Sequence, residues 1–354
     1  MNEFDLNIHD TASNSTMALR ELCDFHPDDP TLHIQLAEKL EQSGHEIGSI
    51  YAARKAYEIL SHEKNNQAKD LVEKFGEEIL ADNLSPYVTN NYLPLAKHFG
   101  LLGTRKRKVQ LKEGEALFHK DEDADFIYLI LEGEITINIK SGGHFRMLNY
   151  LRSGAVVGES AMQTNQTRSA TALANVDCTL LRFSPAEFAA AIATDTELNL
   201  NFNKEALIRR HLTALSSADL FARLRIDLRF IIAKRSWAET CTPHEVIKRP
   251  NKHMNHVALL IQGSVRIIVE TEVGGVYCGR LKTGDLVGAQ RFVEDEPSPM
   301  AFIAETECIF ICMDYAVIED LVELSSWFKH KLTETNEQFN SQVSRTLTLQ
   351  KIGR

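Results

Sequence analysis

Much of the chemistry that a 354-residue chain can carry is absent from this one. None of its six cysteines stands in a Cys-x-x-Cys pair, so zinc-ribbon and dithiol-redox centres are excluded. Cys308 and Cys312 close the run Cys-Ile-Phe-Ile-Cys, where strand geometry puts both on one face. They read as buried reduced thiols of a cytosolic protein. No apolar run approaches the ~20 residues that span a bilayer. The acidic start, Met-Asn-Glu-Phe-Asp-Leu, has no signal-peptide core, so a cytoplasmic location is expected. Positive charge is also short. The formal net charge of −10 argues against diffuse attraction to DNA or an anionic membrane. There is no Gly-x-Ser-x-Gly elbow, Walker loop or His-Glu-x-x-His helix. His45-Glu46, His62-Glu63 and His244-Glu245 are isolated pairs without a second ligand at helical spacing. The expectation is a protein that is not an enzyme and holds no metal or cofactor.

What remains is ordinary globular composition, 44% hydrophobic and 25% charged, with length for two or three domains. From Thr16 the pattern is helical. Met17, Leu19, Leu22 and Cys23 share one face, and His26 to Pro30 break the run. Leu32, Leu36, Ala37 and Leu40 form a second helix that stops at Ser43-Gly44. A third carries Ile47, Ile50, Tyr51, Ala53, Ala56 and Ile59, and a fourth is expected over 66–81. Residues 84–103 read as linker and short helices around Pro86 and Pro94. From Val109 to Phe183 short alternating strands are separated by glycine turns, which predicts a small antiparallel barrel or jelly roll. Ser184 and Glu187 then form a capping box at a helix start. A longer helix is expected over about 197–215.

The barrel pattern recurs. Gly133, Gly154 and Gly158 reappear 130 residues on as Gly263, Gly284 and Gly288, each in a similar setting. A constant offset across three glycines predicts a tandem repeat.

The most informative stretch is Val157-Gly158-Glu159-Ser160-Ala161, followed after a polar loop by Arg168-Ser169-Ala170. Glycine permits close backbone approach to a ligand, and small residues open a short helix whose free N–H groups face an anion. Arg168 can fork onto two phosphate oxygens, and Glu159 can accept from a ribose hydroxyl. With Leu-Ile-Leu-Glu-Gly-Glu-Ile upstream, this resembles the phosphate-binding cassette of cyclic-nucleotide-binding domains, as in bacterial cAMP receptors and regulatory subunits of cAMP-dependent kinases. The resemblance implies an α+β chain: two tandem β-barrel (jelly-roll) domains with flanking helices, after an α-helical region. The division expected is 1–83 helical, 84–215 first barrel, 216–354 second barrel with a C-terminal helix. It implies cAMP, or else cGMP, as ligand, held by Val157, Gly158, Glu159, Ser160, Ala161, Arg168, Ser169 and Ala170. Ser169 after the arginine favours cAMP, since cGMP-selective relatives carry threonine there. The helix after the first barrel would swing over the base as a lid.

The offset tests the chemistry. Glu159 maps to Ala289 and Arg168 to Ser298, so the second cassette lacks both charges. Losing the countercharge of an anion costs about 2–5 kcal/mol, or roughly 30- to 3000-fold in affinity. Arg291 could substitute from another position, but the second barrel is expected to bind no cyclic nucleotide in the usual way. Its expected role is a scaffold or a homodimer contact. No helix-turn-helix follows, which argues against the DNA binding of the bacterial relatives.

The first helical hairpin resembles one tetratricopeptide repeat through Leu36, Ala37, Leu40, Gly44 and Ala56, with Ser49 at the helix-crossing alanine and Ser61 at the final proline. That implies an effector protein docked on the N-terminal helices or the second barrel; a plain helical cap is the alternative. Arg105 to Lys108 read as a solvated strand start rather than a pseudosubstrate. The overall expectation is a cyclic-nucleotide receptor. The competing reading is a docking protein whose barrels bind another anion or nothing.

Overall fold

The computed structural model describes residues 16–62, 65–76, 79, 92–94, 107–141, 144–159, 167–271, 274–292 and 299–352. The chain divides into two compact units, residues 83–234 and the pair of segments 1–82 and 235–354. The grouping differs from the three-part division expected above. Residues 216–234 go with the first barrel, and the N-terminal helices go with the second.

In the unit of residues 83–234, eight strands build the barrel: β1 (Lys108–Leu111), β2 (Ala116–Phe118), β3 (Ile127–Glu132), β4 (Glu134–Ser141), β5 (His144–Arg152), β6 (Val156–Val157), β7 (Thr171–Ala174) and β8 (Cys178–Phe183). They form two four-stranded sheets, ordered β1-β8-β3-β6 and β2-β7-β4-β5, with every pairing antiparallel. Strand alternation sorts the side chains. Phe118, Ile130, Ile135, Leu151, Val157, Ala172 and Leu180 fill the barrel. Ile127, Leu129, Val156, Leu181 and Phe183 face outward onto two helices, α5 (Pro185–Ala193) and α6 (Thr196–Ser217), through Phe188, Ile192 and Phe202. The expected capping box starts α5: Ser184 Oγ accepts from Glu187 N, and Glu187 accepts from Ser184 N at 2.9 Å. Asp195 caps α6 by accepting from Leu198 N at 3.0 Å. Of the expected linker, Tyr92 is a core residue, 1% exposed, its hydroxyl donating to Glu205 at 2.8 Å. Arg107 pairs with Glu187 at 2.9 Å, as a surface residue at a strand start does; Arg105 and Lys106 lie outside the described residues.

The other unit opens with four helices, α1 (Thr16–Phe25), α2 (Pro30–Gln42), α3 (Glu46–His62) and α4 (Gln67–Phe75). Asp29 caps α2, and Gly44 ends it at φ +80°. Ser49, where α3 crosses α2, donates to Ala37 O at 2.9 Å, so the serine adds a hydrogen bond to the crossing. The second barrel comprises β9 (Trp237–Cys241), β10 (Val246–Lys248), β11 (His256–Gln262), β12 (Val265–Thr271), β13 (Gly274–Leu281), β14 (Leu286–Val287), β15 (Met300–Ala304) and β16 (Cys308–Asp314). Its sheets are β14-β11-β16-β9 and β10-β15-β12-β13. Two helices follow, α9 (Tyr315–Leu324) and α10 (Ser326–Ile352). A seventh and an eighth helix, α7 (Asp219–Ala222) and α8 (Ile226–Arg235), precede this barrel. The offset of 130 is kept without gaps: β6 and β14, α5 and α9, and α6 and α10 each begin 130 residues apart.

The N-terminal helices are bolted to α9. Asp320, 1% exposed, accepts from the backbone N–H groups of Ile47 and Gly48 at 3.1 and 3.2 Å, and meets His45 Nδ1 at 3.0 Å. It thus caps α3 from another element and satisfies amides that no residue within that helix can reach. Arg20 of α1 pairs with Glu323 beside it. The repeat-equivalent positions in the first barrel are Ala190 and Ala193, so these docking charges belong to the second copy alone.

Candidate functional site

Sequence and fold converge on the end of β6. Val157 points into the barrel core. Gly158 follows at φ +86°, and a β-carbon there would collide with Arg168 Nη1, so only glycine permits this approach. Glu159 and Arg168 are both buried, 5% and 3% exposed. Ser169 is exposed and Ala170 is buried. Gly158, Glu159, Arg168, Ser169 and Ala170 line one cavity with Phe118, Ile137, Asn149, Arg209, Leu212 and Thr213. Val157 is outside that lining, and Ser160 and Ala161 lie outside the described residues.

Arg168 is pinned through its backbone. Its N–H donates to Glu122 O, and its carbonyl accepts from Asp121 N, both at 2.8 Å. Its guanidinium lies over the Phe118 ring at 4.1 Å, donating to Gly158 O at 3.1 Å and Phe126 O at 2.6 Å. Among the described residues it makes no ion pair, and its Nε is buried without a partner. Burial pushes its pKa down, against the raising influence of Tyr128, Asp125, Glu159 and Glu122. The result is a desolvated cation whose charge is incompletely compensated. Such burial costs several kcal/mol, of the order an arriving anion would return.

Glu159 is held from the helix side. Arg209 of α6 reaches it at 2.7 Å, Glu205 at 2.6 Å and Val156 O at 2.8 Å. Burial would lower the Arg209 pKa, but the two carboxylates more than offset it and raise the pKa above the ordinary arginine value. Glu205 also takes the Tyr92 hydroxyl. The chain of contacts Glu159–Arg209–Glu205–Tyr92 ties the cassette to the helix above it. Arg209 was legible only in outline: Glu205, Arg209 and Leu212 share the face of α6 that carries Phe202. The cavity beneath α6 is about 50 Å³, against roughly 300–1,000 Å³ for small-ligand sites.

Among the described residues the second barrel has no counterpart of this ion pair. Along the offset, Glu159 becomes Ala289, Arg209 becomes Phe339, Ala172 becomes Phe302 and Phe118 becomes Lys248. Both members of the buried ion pair are therefore gone. Phe339 of α10 stacks on Phe302, ring centroids 6.2 Å apart, and Val343 joins the barrel core. The position of Ser298 and the side chain of Arg291 lie outside the described residues. Ala289 O accepts from Asn336 at 3.2 Å, which closes α10 onto the cassette by a neutral bond.

Comparison with known proteins places both barrels in one family. The cyclic nucleotide-binding domain family model matches residues 108–195 and again 238–325. A lysophospholipase of Emericella nidulans is 28% identical over 97 residues, 27% of this chain, and the chain spans only 6% of that protein's length. Among solved structures, the regulatory domain of Toxoplasma gondii PKA with cAMP is 16% identical, covering 70% of this chain and 86% of that one at a TM-score of 0.30. The regulatory subunit of a cAMP-independent protein kinase A from Trypanosoma cruzi bound to guanosine is 14% identical, covering 70% and 82% at a TM-score of 0.35. Among the described residues no helix is long and apolar enough to cross a membrane. The chain carries two members of the cyclic nucleotide-binding domain family in tandem, each barrel and its following helix forming one copy.

Proposed function

We propose that this chain is a cytosolic cAMP receptor with one competent site, in the first barrel, that signals to a protein partner without binding DNA or catalysing a reaction. The observation that carries the reading is Arg168, a buried guanidinium without an ion-pair partner among the described residues, lining the same cavity as Glu159. In this reading Arg168 takes the cyclic phosphate and Glu159 the ribose 2′-hydroxyl. Gly158 and the amides near Ser160 and Ala161 complete the cradle, with Ser169 and Ala170 beside it. Ser169 favours cAMP over cGMP, as the family resemblance implies.

A nucleotide does not fit a cavity of about 50 Å³. Binding therefore requires Arg209, Leu212 and Thr213 of α6 to withdraw. Because Arg209 bonds Glu159, a ribose hydroxyl arriving at that carboxylate changes what holds α6 down. Ligand then shifts the population of α6 positions by its differential affinity for them. The second barrel, its interior stacked with Phe302 and Phe339, serves as scaffold for the N-terminal helices.

The narrow cavity favours one competing reading, a docking protein whose first barrel takes a smaller anion or nothing. Calorimetry with cAMP separates the two. Stoichiometric binding that disappears in Arg168→Ala, and weakens less in Glu159→Ala, supports the receptor. Binding unchanged in Arg168→Ala points to another pocket, and no binding by the wild-type chain favours the docking protein.

A further inference from the structure

The second barrel carries a cluster of unlike ligands that its twin lacks. Glu239 of β9, His256 of β11 and Cys312 of β16 offer a carboxylate oxygen, an imidazole nitrogen and a sulfur, all within 4.8 Å of one another. The sheet order β11-β16-β9 explains the convergence. Cys312 sits on the central strand, opposite Trp237 of β9 and Ala258 of β11. Glu239 and His256 reach it from the two flanking strands. The equivalent residues in the first barrel are Val109, Phe126 and Arg182, and there the Arg182 guanidinium lies over the Phe126 ring at 4.9 Å.

The ligand atoms stand somewhat wider than they would around a bound ion. His256 Nε2 lies 3.7 Å from Glu239 Oε2, too far for a good hydrogen bond. Two ligands on one tetrahedral zinc ion, each at about 2.0–2.1 Å, stand about 3.3–3.4 Å apart. A supporting shell is present as well. Trp237 Nε1 donates to Glu239 Oε1 at 2.8 Å, which leaves Oε2 directed at His256, and the indole meets the imidazole edge-on at 5.3 Å. Such outer contacts orient metal ligands. There is also an entry path: Glu239 is 45% exposed and His256 19%, whereas Cys312 is buried at the inner end.

We propose that Glu239, His256 and Cys312 form a three-ligand site for a thiophilic divalent cation, with Zn²⁺ as the best fit. A mixed oxygen, nitrogen and sulfur set suits zinc or cobalt and disfavours Ca²⁺ and Mg²⁺, which take oxygen ligands. On binding, Cys312 gives its thiol proton to solvent and coordinates as thiolate. The fourth position faces solvent and takes water.

The test is titration of the reduced full-length protein with Co²⁺, followed by displacement with Zn²⁺. One equivalent of Co²⁺ should produce a thiolate-to-cobalt charge-transfer band that Zn²⁺ abolishes and Mg²⁺ does not. Cys312→Ser should lose the band. Because that residue is in the core, the exposed-side variants Glu239→Gln and His256→Gln supply the second reading: each should weaken Co²⁺ binding at least about tenfold. Cys241→Ser, on the neighbouring strand, should keep the band. No band in the wild-type chain, or a band that survives both Glu239→Gln and His256→Gln at unchanged affinity, overturns the proposal.

Discussion

Arg209 holds Glu159 at 2.7 Å, and in the second repeat both positions have become apolar, Phe339 and Ala289. An ion pair lost as a pair leaves no stranded charge. The first barrel cannot shed one partner so cheaply. Arg209→Ala should leave the buried carboxylates of Glu159 and Glu205 without their cation, at a cost of about 3–5 kcal/mol. Chemical denaturation of wild type and variant measures it. A loss below 1 kcal/mol would mean that the network is not formed in solution.

Gly158 and Gly114 separate backbone strain from steric contact. Both have positive φ, +86° and +83°, but a β-carbon at Gly114 meets nothing within 4 Å, whereas one at Gly158 meets Arg168. Alanine at either should cost about 1–2 kcal/mol for the left-handed backbone. Only Gly158→Ala should also reduce cAMP affinity, by displacing the guanidinium. Equal affinities in the two variants, measured by calorimetry, would disconnect Gly158 from the ligand.

In the second barrel, Phe339→Ala should cost about 2–3 kcal/mol, less than the 3–5 of a fully buried phenylalanine, since Phe339 is only partly covered. The space opened has no cation at the Arg168 equivalent and no carboxylate at the Glu159 equivalent. The stoichiometry of cAMP should therefore stay at one per chain. A second equivalent bound by the variant would refute the filled-barrel account.

Asp320 links stability to pH in a defined direction. Burial raises its pKa, opposed by hydrogen bonds from Gly48, His45 and Ile47. A carboxyl whose folded pKa exceeds its unfolded value binds more protons when folded. Its contribution is therefore largest below the unfolded value of about 3.9 and falls as pH rises through the raised folded pKa. Asp320→Asn, compared with wild type across that window by thermal melts, should remove this falling component. Asp320→Ala should destabilise by about 1–3 kcal/mol at any pH, because it strands two buried amides.

The sequence carried the local grammar. The glycine spacing marks the repeat, Ser184 and Glu187 mark a helix start, and Gly158, Glu159 and Arg168 sit close enough in sequence to read as one cassette. It did not carry contacts between distant segments. Arg209 is 50 residues from Glu159, and the periodicity of α6 puts it on the Phe202 face without saying which carboxylate it meets there. Asp320 reads as one more acid on an amphipathic helix, and its partners lie in the first 50 residues. The cavity volume depends on how closely α6 is seated, which composition does not encode.

The cap that Asp320 supplies to α3 has a consequence for biogenesis. Gly48 leaves the ribosome 272 residues before Asp320 does. At about 5–20 residues per second that is roughly 15 to 55 seconds. Throughout it the amides of Ile47 and Gly48 and the apolar face beside them lack their native cover, while the whole first barrel is made and can fold. The N-terminal helices are thus translated ahead of the first barrel, yet they gain their cap only once α9 has been made.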